Sequence, residues 1–235
     1  MLTFRSIASS SKGNVNLITD GLATIMLDCG LPWRKVREAM GFNTSSLSGI
    51  LVSHSHNDHC KGVKDAAAAG IDVYLLKETR EEKGFASHRF HDVEPGKTFA
   101  VGSFLVAGFS LVHDVPCCGF LLSGGGEKAA YITDTAYVPN RLPALNLLAI
   151  ECNFCEDTLD ENVSSGAVHS AMRHRLVNAH FGLPQVIDFL RANDLSRLRE
   201  IHLLHLSDGN SNELQMQVAI ENAVPPGVRV VVADE

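Results

Sequence analysis

The sequence is poor in aromatic residues and in clusters of basic residues. Aromatic residues make up 6% of the 235 residues, and they do not alternate with basic residues as they do on surfaces that bind single-stranded nucleic acid. The formal net charge of −7 opposes broad attraction to a polyanion. These features argue against a protein that coats nucleic acid. They leave open a local positive groove or the metal-assisted capture of one phosphate.

Long apolar runs and disulfide patterns are also absent. No run approaches the ~20 apolar residues of a membrane-spanning helix. The apolar run at residues 1–7 is short and is followed by polar serines, so it does not resemble a signal peptide. The six cysteines lack the density of a disulfide scaffold, and Cys152-x-x-Cys155 has no second such pair that would complete a zinc site. We therefore expect a cytoplasmic protein with reduced thiols and no membrane partner.

The remaining composition is that of an ordinary globular protein. Hydrophobic residues make up 45% and charged residues 20%, with no repeat or linker. Strand patterns dominate the first half and helices are interspersed later, which predicts one layered α/β domain. The expected strands are 2–7, 15–19, 23–28, 49–53, 72–76, 98–101, 103–111, 119–122, 129–132, 145–150, 201–206 and 228–232, and the expected helices are 33–40, 58–69, 77–83, 167–179, 184–192 and 213–223.

The most informative segment is His54-x-His56-x-Asp58-His59, which places four metal-binding side chains directly after an apolar run. Three imidazoles this close together repel one another once protonated, whereas a metal ion can bind them in their neutral form beside the carboxylate. Histidine and aspartate both suit zinc and manganese. The alternative is a solvated loop with chance histidines. The strand that precedes the segment and the candidate ligands that follow later favour the metal site.

Three further candidate ligands, His113, Asp134 and His205, each lie at the end of a predicted strand. Taken singly, a histidine there is more often a structural residue, and an aspartate is more often a turn or helix cap. Alternation along the predicted strand 201–206 places His205 on the face of Ile201 and points His202 away from it. Together with the first segment, the three complete a set of the size that a two-metal hydrolytic site requires.

These residues, in this order, resemble those of the metallo-β-lactamase fold superfamily. More narrowly, the chain is similar to the YycJ/WalJ-type metallohydrolases, which are described as bacterial DNA exonucleases. The resemblance implies an αββα sandwich in a single domain, residues 1–235. The further matches are Ser9–Asn14, Asp28-Cys29-Gly30, Glu151-Cys152-Asn153 and His205-Leu206-Ser207.

The resemblance also implies two divalent metal ions, zinc or manganese, that activate a hydroxide for attack on a phosphodiester. The ligands would be His54, His56 and His113 for the first ion, Asp58, His59 and His205 for the second, and Asp134 as a bridge. Two ions about 3.5–4 Å apart can stabilise both the attacking and the leaving oxygen. No serine or cysteine nucleophile is then needed.

Asp58 and His180 are the catalytic candidates, and Arg175 and Ser207 are the substrate-binding candidates. His180 could contact the phosphate or protonate the leaving group, or it could be a helix-terminal histidine favoured by the helix dipole. Arg175 belongs to Arg173-His174-Arg175, which with Arg34-Lys35-x-Arg37 forms the compact basic clusters of the chain. Either cluster, and Lys61 and Lys64 near the metal motif, could position a phosphate backbone or form a solvated helix face.

The leading hypothesis is a metal-dependent phosphodiesterase that acts as a DNA exonuclease. A cyclic-nucleotide phosphodiesterase or, less favoured, a thioester hydrolase of the same fold would suit the acidic net charge. A di-iron oxidoreductase is disfavoured because it normally carries glutamate where this chain has His56. A metal-stabilised binding protein is disfavoured by the complete ligand set. The expected partners are DNA or a small phosphodiester, and a homodimer is one assembly that the family allows.

Overall fold

A computed structural model describes residues 1–233, which form two β-sheets flanked by helices. The first sheet has the order β1–β6, with β1 to β3 antiparallel and β3 to β6 parallel. Its strands are β1 (Thr3–Ser10), β2 (Gly13–Thr19), β3 (Thr24–Leu27), β4 (Leu47–Leu51), β5 (Val73–Leu76) and β6 (Phe90–Val93).

The second sheet runs from β7 to β13 in sequence order. Its first four strands are antiparallel, and β10 to β13 are parallel. They are β7 (Thr98–Val101), β8 (Phe104–Leu111), β9 (Cys117–Gly124), β10 (Glu127–Ile132), β11 (Leu147–Glu151), β12 (Glu200–Leu204) and β13 (Arg229–Val232). The helices are α1 (Trp33–Ala39), α2 (Asn57–Cys60), α3 (Val63–Ala68), α4 (Lys77–Glu82), α5 (Glu156–Ser164), α6 (Ser170–Ala179), α7 (Leu183–Ala192) and α8 (Glu213–Ala223).

Three layers of apolar packing hold these elements together. Between the sheets, Leu27 and Leu51 pack in one core with Phe120. A second core joins α1 and α3 to the outer face of the first sheet, and a third joins α7 and α8 to the outer face of the second. This is the αββα sandwich that the resemblance implied. No helix within residues 1–233 is long and apolar enough to cross a membrane.

The structure corrects the predicted helix over residues 58–69, which is two short helices. In a continuous helix the Gly62 amide would bond within the helix, but it donates to Cys29 O at 2.8 Å. A side chain at Gly62 would also collide with Leu31 O. The contact with the loop after β3 therefore ends α2 and turns the chain into α3.

Two elements, β6 and α5, have no counterpart among the predicted elements. In β6 only Val93 is buried, and its other residues are mostly polar, so period-two alternation is weak. In α5 only Leu159 is buried, so the helix carries almost no apolar stripe. Both elements owe their conformation to neighbours in the fold more than to their own pattern.

Candidate metal centre

The candidate ligands meet at one edge of the sandwich because the strands that carry them end there. Side chains that follow parallel strands are delivered to the same edge of a sheet, where ligand sites of α/β folds lie. The first sheet supplies the segment His54–His59 after β4, and the second supplies His113 after β8, Asp134 after β10, Glu151 at the end of β11 and His205 after β12.

His54, His56, His113 and Asp134 form a first cluster, whose ligand atoms all lie within 4.8 Å of one another. His54 Nε2 lies 3.8 Å from Asp134 Oδ2, and His113 Nε2 lies 3.9 Å from the same oxygen. The His54 ring is fully buried, whereas His56 is partly exposed and lines a cleft.

Asp58, His59, Asp134 and His205 form a second cluster within the same 4.8 Å limit. Asp134 Oδ1 lies 3.3 Å from His59 Nε2 and 2.9 Å from His205 Nδ1. One oxygen of Asp134 therefore faces each cluster, and the carboxylate is itself 2% exposed. This is the geometry that a bridging ligand requires.

The chemistry of these residues fits two divalent ions. The buried His54 Nε2 has no hydrogen-bond partner within residues 1–233, although a neutral ring nitrogen left unpaired at such a position is costly. A metal ion is the partner that would satisfy it. Imidazoles with a shared carboxylate are ligands of zinc and manganese. The two clusters are thus consistent with a binuclear metal centre.

A second set of buried residues orients the histidine rings. Asp28 Oδ2 lies 2.7 Å from His59 Nδ1 and accepts a hydrogen bond from the Tyr131 hydroxyl at 2.7 Å. The Ala179 carbonyl oxygen lies 2.8 Å from His113 Nδ1. Each contact turns the other ring nitrogen toward Asp134. Such partners normally set the tautomer and orientation of a ligating histidine.

Glu151 joins the centre although the sequence analysis used it only as a family match. Its fully buried carboxylate accepts hydrogen bonds from the backbone amides of Thr135 and Phe181, both at 3.0 Å. It also lies 2.6 Å from His180 Nδ1 and 3.0 Å from His205 Nδ1. A charged residue at the end of the apolar run 147–150 was the sequence signal, and Asp28 after β3 is a similar case.

Charge in the centre is balanced between carboxylates and histidines. Burial disfavours the charged ring of His205, but the Asp134 and Glu151 carboxylates outweigh it and raise its pKa to about 10. Burial likewise opposes the charge of Asp134, and His205 and His59 hold the pKa of its carboxyl well below the usual range. Burial lowers the pKa of His54 and His113, which favours the neutral, ligating form.

A cleft of about 500 Å³ opens onto the two clusters. His180, with a side chain that is 15% exposed, lies on its wall against Glu151. Arg175 on α6 lies at the rim, 66% exposed and 4.0 Å from Asp114 Oδ2. Ser207 also lines the cleft, where its amide donates to Asn153 O at 2.9 Å.

His202 lies outside the centre, as its place in the strand predicts. Its ring packs on Phe4 at a centroid distance of 4.5 Å. The prediction that His205 shares a face with Ile201 is wrong, because β12 ends at Leu204 and the chain turns at His205. Ile201 and Leu203 face the outer core with α7 and α8, while His205 enters the cleft.

Comparison with known proteins gives consistent results. The model of the beta-lactamase superfamily domain matches residues 23–203. Exodeoxyribonuclease WalJ of Streptococcus pneumoniae serotype 2 is 26% identical over 223 residues, covering 87% of this chain and 81% of that protein. Exodeoxyribonuclease YycJ of Bacillus anthracis is 27% identical over 234 residues, covering 91% of this chain and 86% of that protein.

The metallo-beta-lactamase fold protein YhfI of Bacillus subtilis has a solved structure that superposes with a TM-score of 0.77 at 16% identity, covering 100% of this chain and 97% of that one. This likeness concerns the fold alone. The family model, by contrast, spans most of the sequence, and the clusters carry the side chains of a metal site. The chain belongs to the metallo-β-lactamase superfamily and is a metal-dependent hydrolase of that fold.

Proposed function

We propose that this hydrolase is a DNA exonuclease that cleaves phosphodiester bonds at two divalent metal ions. The observation that carries the proposal is the pair of clusters that share Asp134 at the floor of an open cleft. The two relatives at 26% and 27% identity, which are exodeoxyribonucleases by name, support DNA as the substrate.

In this proposal seven side chains hold the two ions. They are His54, His56 and His113 for the first ion, Asp58, His59 and His205 for the second, and Asp134 between them. Ions bound there would supply an activated water nucleophile and offset the charge on the phosphoryl oxygens. The opposed oxygens of Asp134 and the unpartnered His54 Nε2 support the assignment.

His180 is the proposed proton donor to the leaving oxygen. The Glu151 carboxylate, 2.6 Å away, holds Nδ1 and leaves the other ring nitrogen for the cleft. Burial opposes the charged ring, but Glu151 and Asp134 raise the pKa of His180, which favours the protonated form that a proton donor needs. Asp58, the other catalytic candidate, lines the same cleft and in this proposal is a partly exposed ligand of the second ion.

Arg175 and Ser207 are the proposed substrate contacts. Arg175 is the cationic side chain that lines the cleft within the described residues, and its high exposure leaves the guanidinium accessible to a phosphate. Ser207 presents a hydroxyl on the opposite loop, held by a hydrogen bond from Asn210 Nδ2 at 3.2 Å. Both line the cleft that opens onto the two clusters.

The test is hydrolysis of end-labelled duplex DNA beside bis(p-nitrophenyl) phosphate and cyclic nucleotides, with added zinc or manganese. Asp134→Asn is the control, because asparagine tolerates the left-handed backbone at this position better than alanine does. We expect stepwise loss of DNA from its ends, absent in the control. Cleavage of the small diesters while DNA stays intact would show that the enzyme is a nucleotide phosphodiesterase and not an exonuclease.

A further inference from the structure

We propose that three lysines beside the cleft form a phosphate-binding surface for the DNA strand whose end enters the metal centre. The three are Lys12, Lys35 and Lys61, which we call the lysine ridge. The inference rests on the proposed nuclease function and names the part of the protein that holds the substrate away from the reacting phosphate. It also gives a role to basic residues that the centre itself does not use.

The three lysines come from distant parts of the chain that pack around Leu31. A side chain at Gly13, next to Lys12, would come within 2.6 Å of Leu31 Cδ2. A side chain at Gly62, next to Lys61, would come within 2.4 Å of Leu31 O. The β1–β2 turn, the turn after α2 and the loop that enters α1 are therefore in direct contact, and α1 carries Lys35.

The ridge adjoins the cleft directly. Lys12 and Lys35 line the same surface depression of about 370 Å³, together with Ser10. The next residue after Ser10, Ser11, lines the cleft. On the α2 side, Asp58 lines the cleft three residues before Lys61 in sequence, within the same helical turn. A strand that leaves the cleft over the β1–β2 turn would thus pass onto the lysines.

The charges of the ridge are available to a phosphate. Lys35 and Lys61 are exposed, and neither forms an ion pair with a carboxylate of residues 1–233. Lys12 Nζ lies 3.2 Å from Asp208 Oδ2, with both side chains more than half exposed, and such surface pairs are weak enough to exchange for a phosphate.

Lys12, Lys35 and Lys61 place three positive side chains beside the cleft of a protein whose net charge is negative. With a net charge of −7, the protein repels DNA over most of its surface. A compact group of cations at one edge of the cleft would therefore select where and in which direction the strand approaches. Phosphate contacts of this kind position a nucleic acid without reading its sequence.

The test measures DNA binding as a function of salt in the Asp134→Asn background, so that cleavage does not interfere. The variants are Lys35→Gln, Lys61→Gln and the double variant, with binding of a fluorescent duplex followed by anisotropy from about 50 to 200 mM salt. Lys128→Gln is the matched control. Lys128 is an exposed lysine near the start of β10, whereas Asp134 follows its far end, roughly 20 Å away.

Each phosphate contact contributes a slope of about 0.9 to the dependence of log affinity on log salt. We expect that slope to become shallower by about 1 in each single variant and by about 2 in the double variant, and to stay unchanged in Lys128→Gln. An unchanged slope in the double variant, or an equal decrease of the slope in Lys128→Gln, would contradict the proposed role of the lysine ridge.

The test separates the ridge from the nuclease proposal. If the double variant lowers the slope while the unsubstituted enzyme leaves DNA uncut, the ridge stands and the exonuclease activity is wrong. If the enzyme degrades DNA but the slope is unchanged in the double variant, the exonuclease stands and the ridge is wrong. Equal urea unfolding midpoints of all variants would establish that differences in slope come from DNA binding and not from loss of folded protein.

Discussion

At the scale of single residues, the centre is built on backbone conformations that residues with side chains adopt rarely. The φ angle is 59° at Asp28, 27° at Asp134 and 52° at His205. Such conformations cost on the order of 1–3 kcal/mol each and persist where the surrounding structure enforces them. Here hydrogen bonds do so, from the Asp28 amide to Leu51 O and from the His205 amide to Ser9 Oγ, both at 2.8 Å.

His180→Asn should distinguish a proton donor from a structural histidine. A general acid contributes roughly 10²–10⁴-fold when the leaving oxygen is basic, as in DNA. The p-nitrophenolate leaving group needs little protonation, so bis(p-nitrophenyl) phosphate should lose far less turnover than DNA. Steady-state kinetics on both substrates check this, with the exposed His88→Asn as the control. Equal losses on the two substrates would assign His180 to phosphate binding or to the integrity of the site.

Metal binding should release protons. Burial opposes both charged rings, but the carboxylates raise the pKa of His59 well above its usual range and that of His205 to about 10, which favours protonated rings in the metal-free protein. A ligating imidazole must be neutral, so binding expels these protons and affinity falls as the pH is lowered. Titration calorimetry with zinc in two buffers of different ionisation enthalpy measures the release. Identical heats in both buffers would contradict it.

At the scale of elements, close approach of backbones positions the ligand segment. Gly30, after β3, would with a side chain come within 1.6 Å of Asp58 O. Its amide donates to Asn14 O at 2.9 Å, and the Cys29 amide donates to His59 O at 2.8 Å. The loop after β3 thus holds the first turn of α2, and with it Asp58 and His59, against β2.

Gly30→Ala should therefore disrupt both stability and metal binding. Overpacking against a backbone that cannot move should lower the free energy of unfolding by about 3 kcal/mol, near the upper end for such changes. Gly209→Ala is the matched control, since no atom within 4 Å would meet its added Cβ. Urea unfolding and zinc competition with a chelator give the two readouts. A Gly30→Ala protein as stable as Gly209→Ala would show that the contact relaxes freely.

At the scale of the whole molecule, the centre joins the two sheets. His54, His56, Asp58 and His59 follow a strand of the first sheet, whereas His113, Asp134 and His205 follow strands of the second. Ions held between them would bind the folded chain and not the unfolded one. The metal should therefore act as a crosslink between the halves of the sandwich.

Removal of metal should lower the unfolding temperature. A bound ion present at a free concentration 100 times its dissociation constant adds about 2.7 kcal/mol, and for a chain of this length each kcal/mol corresponds to roughly 2–4 °C. We expect scanning calorimetry to give a midpoint roughly 5–10 °C lower after chelation, restored by zinc or manganese. Asp134→Asn should show a smaller shift, because it lacks the charge that bridges the clusters. A wild-type midpoint that chelation leaves unchanged would exclude the crosslink.

Much of this protein is determined by its sequence alone. Four metal-binding side chains within six residues after an apolar strand predict a metal site by themselves, because their short spacing along the chain keeps them near one another. The layered α/β architecture likewise follows from alternation and apolar runs. His113, Asp134 and His205 were predicted because each lies at the end of a predicted strand. The homodimer, the cytoplasmic location and the domain limits stay predictions.

Only the tertiary structure decided which distant groups meet. Glu151 and Asp28 are single acidic residues at strand ends, and nothing in their local sequence says that one would contact His180 and the other His59. The break between α2 and α3, and the meeting of three lysines around Leu31, depend on backbones packed against each other through glycines. Such contacts arise from the way strands are ordered in the sheets, which local patterns do not encode, because their energy belongs to pairs of segments far apart in the chain.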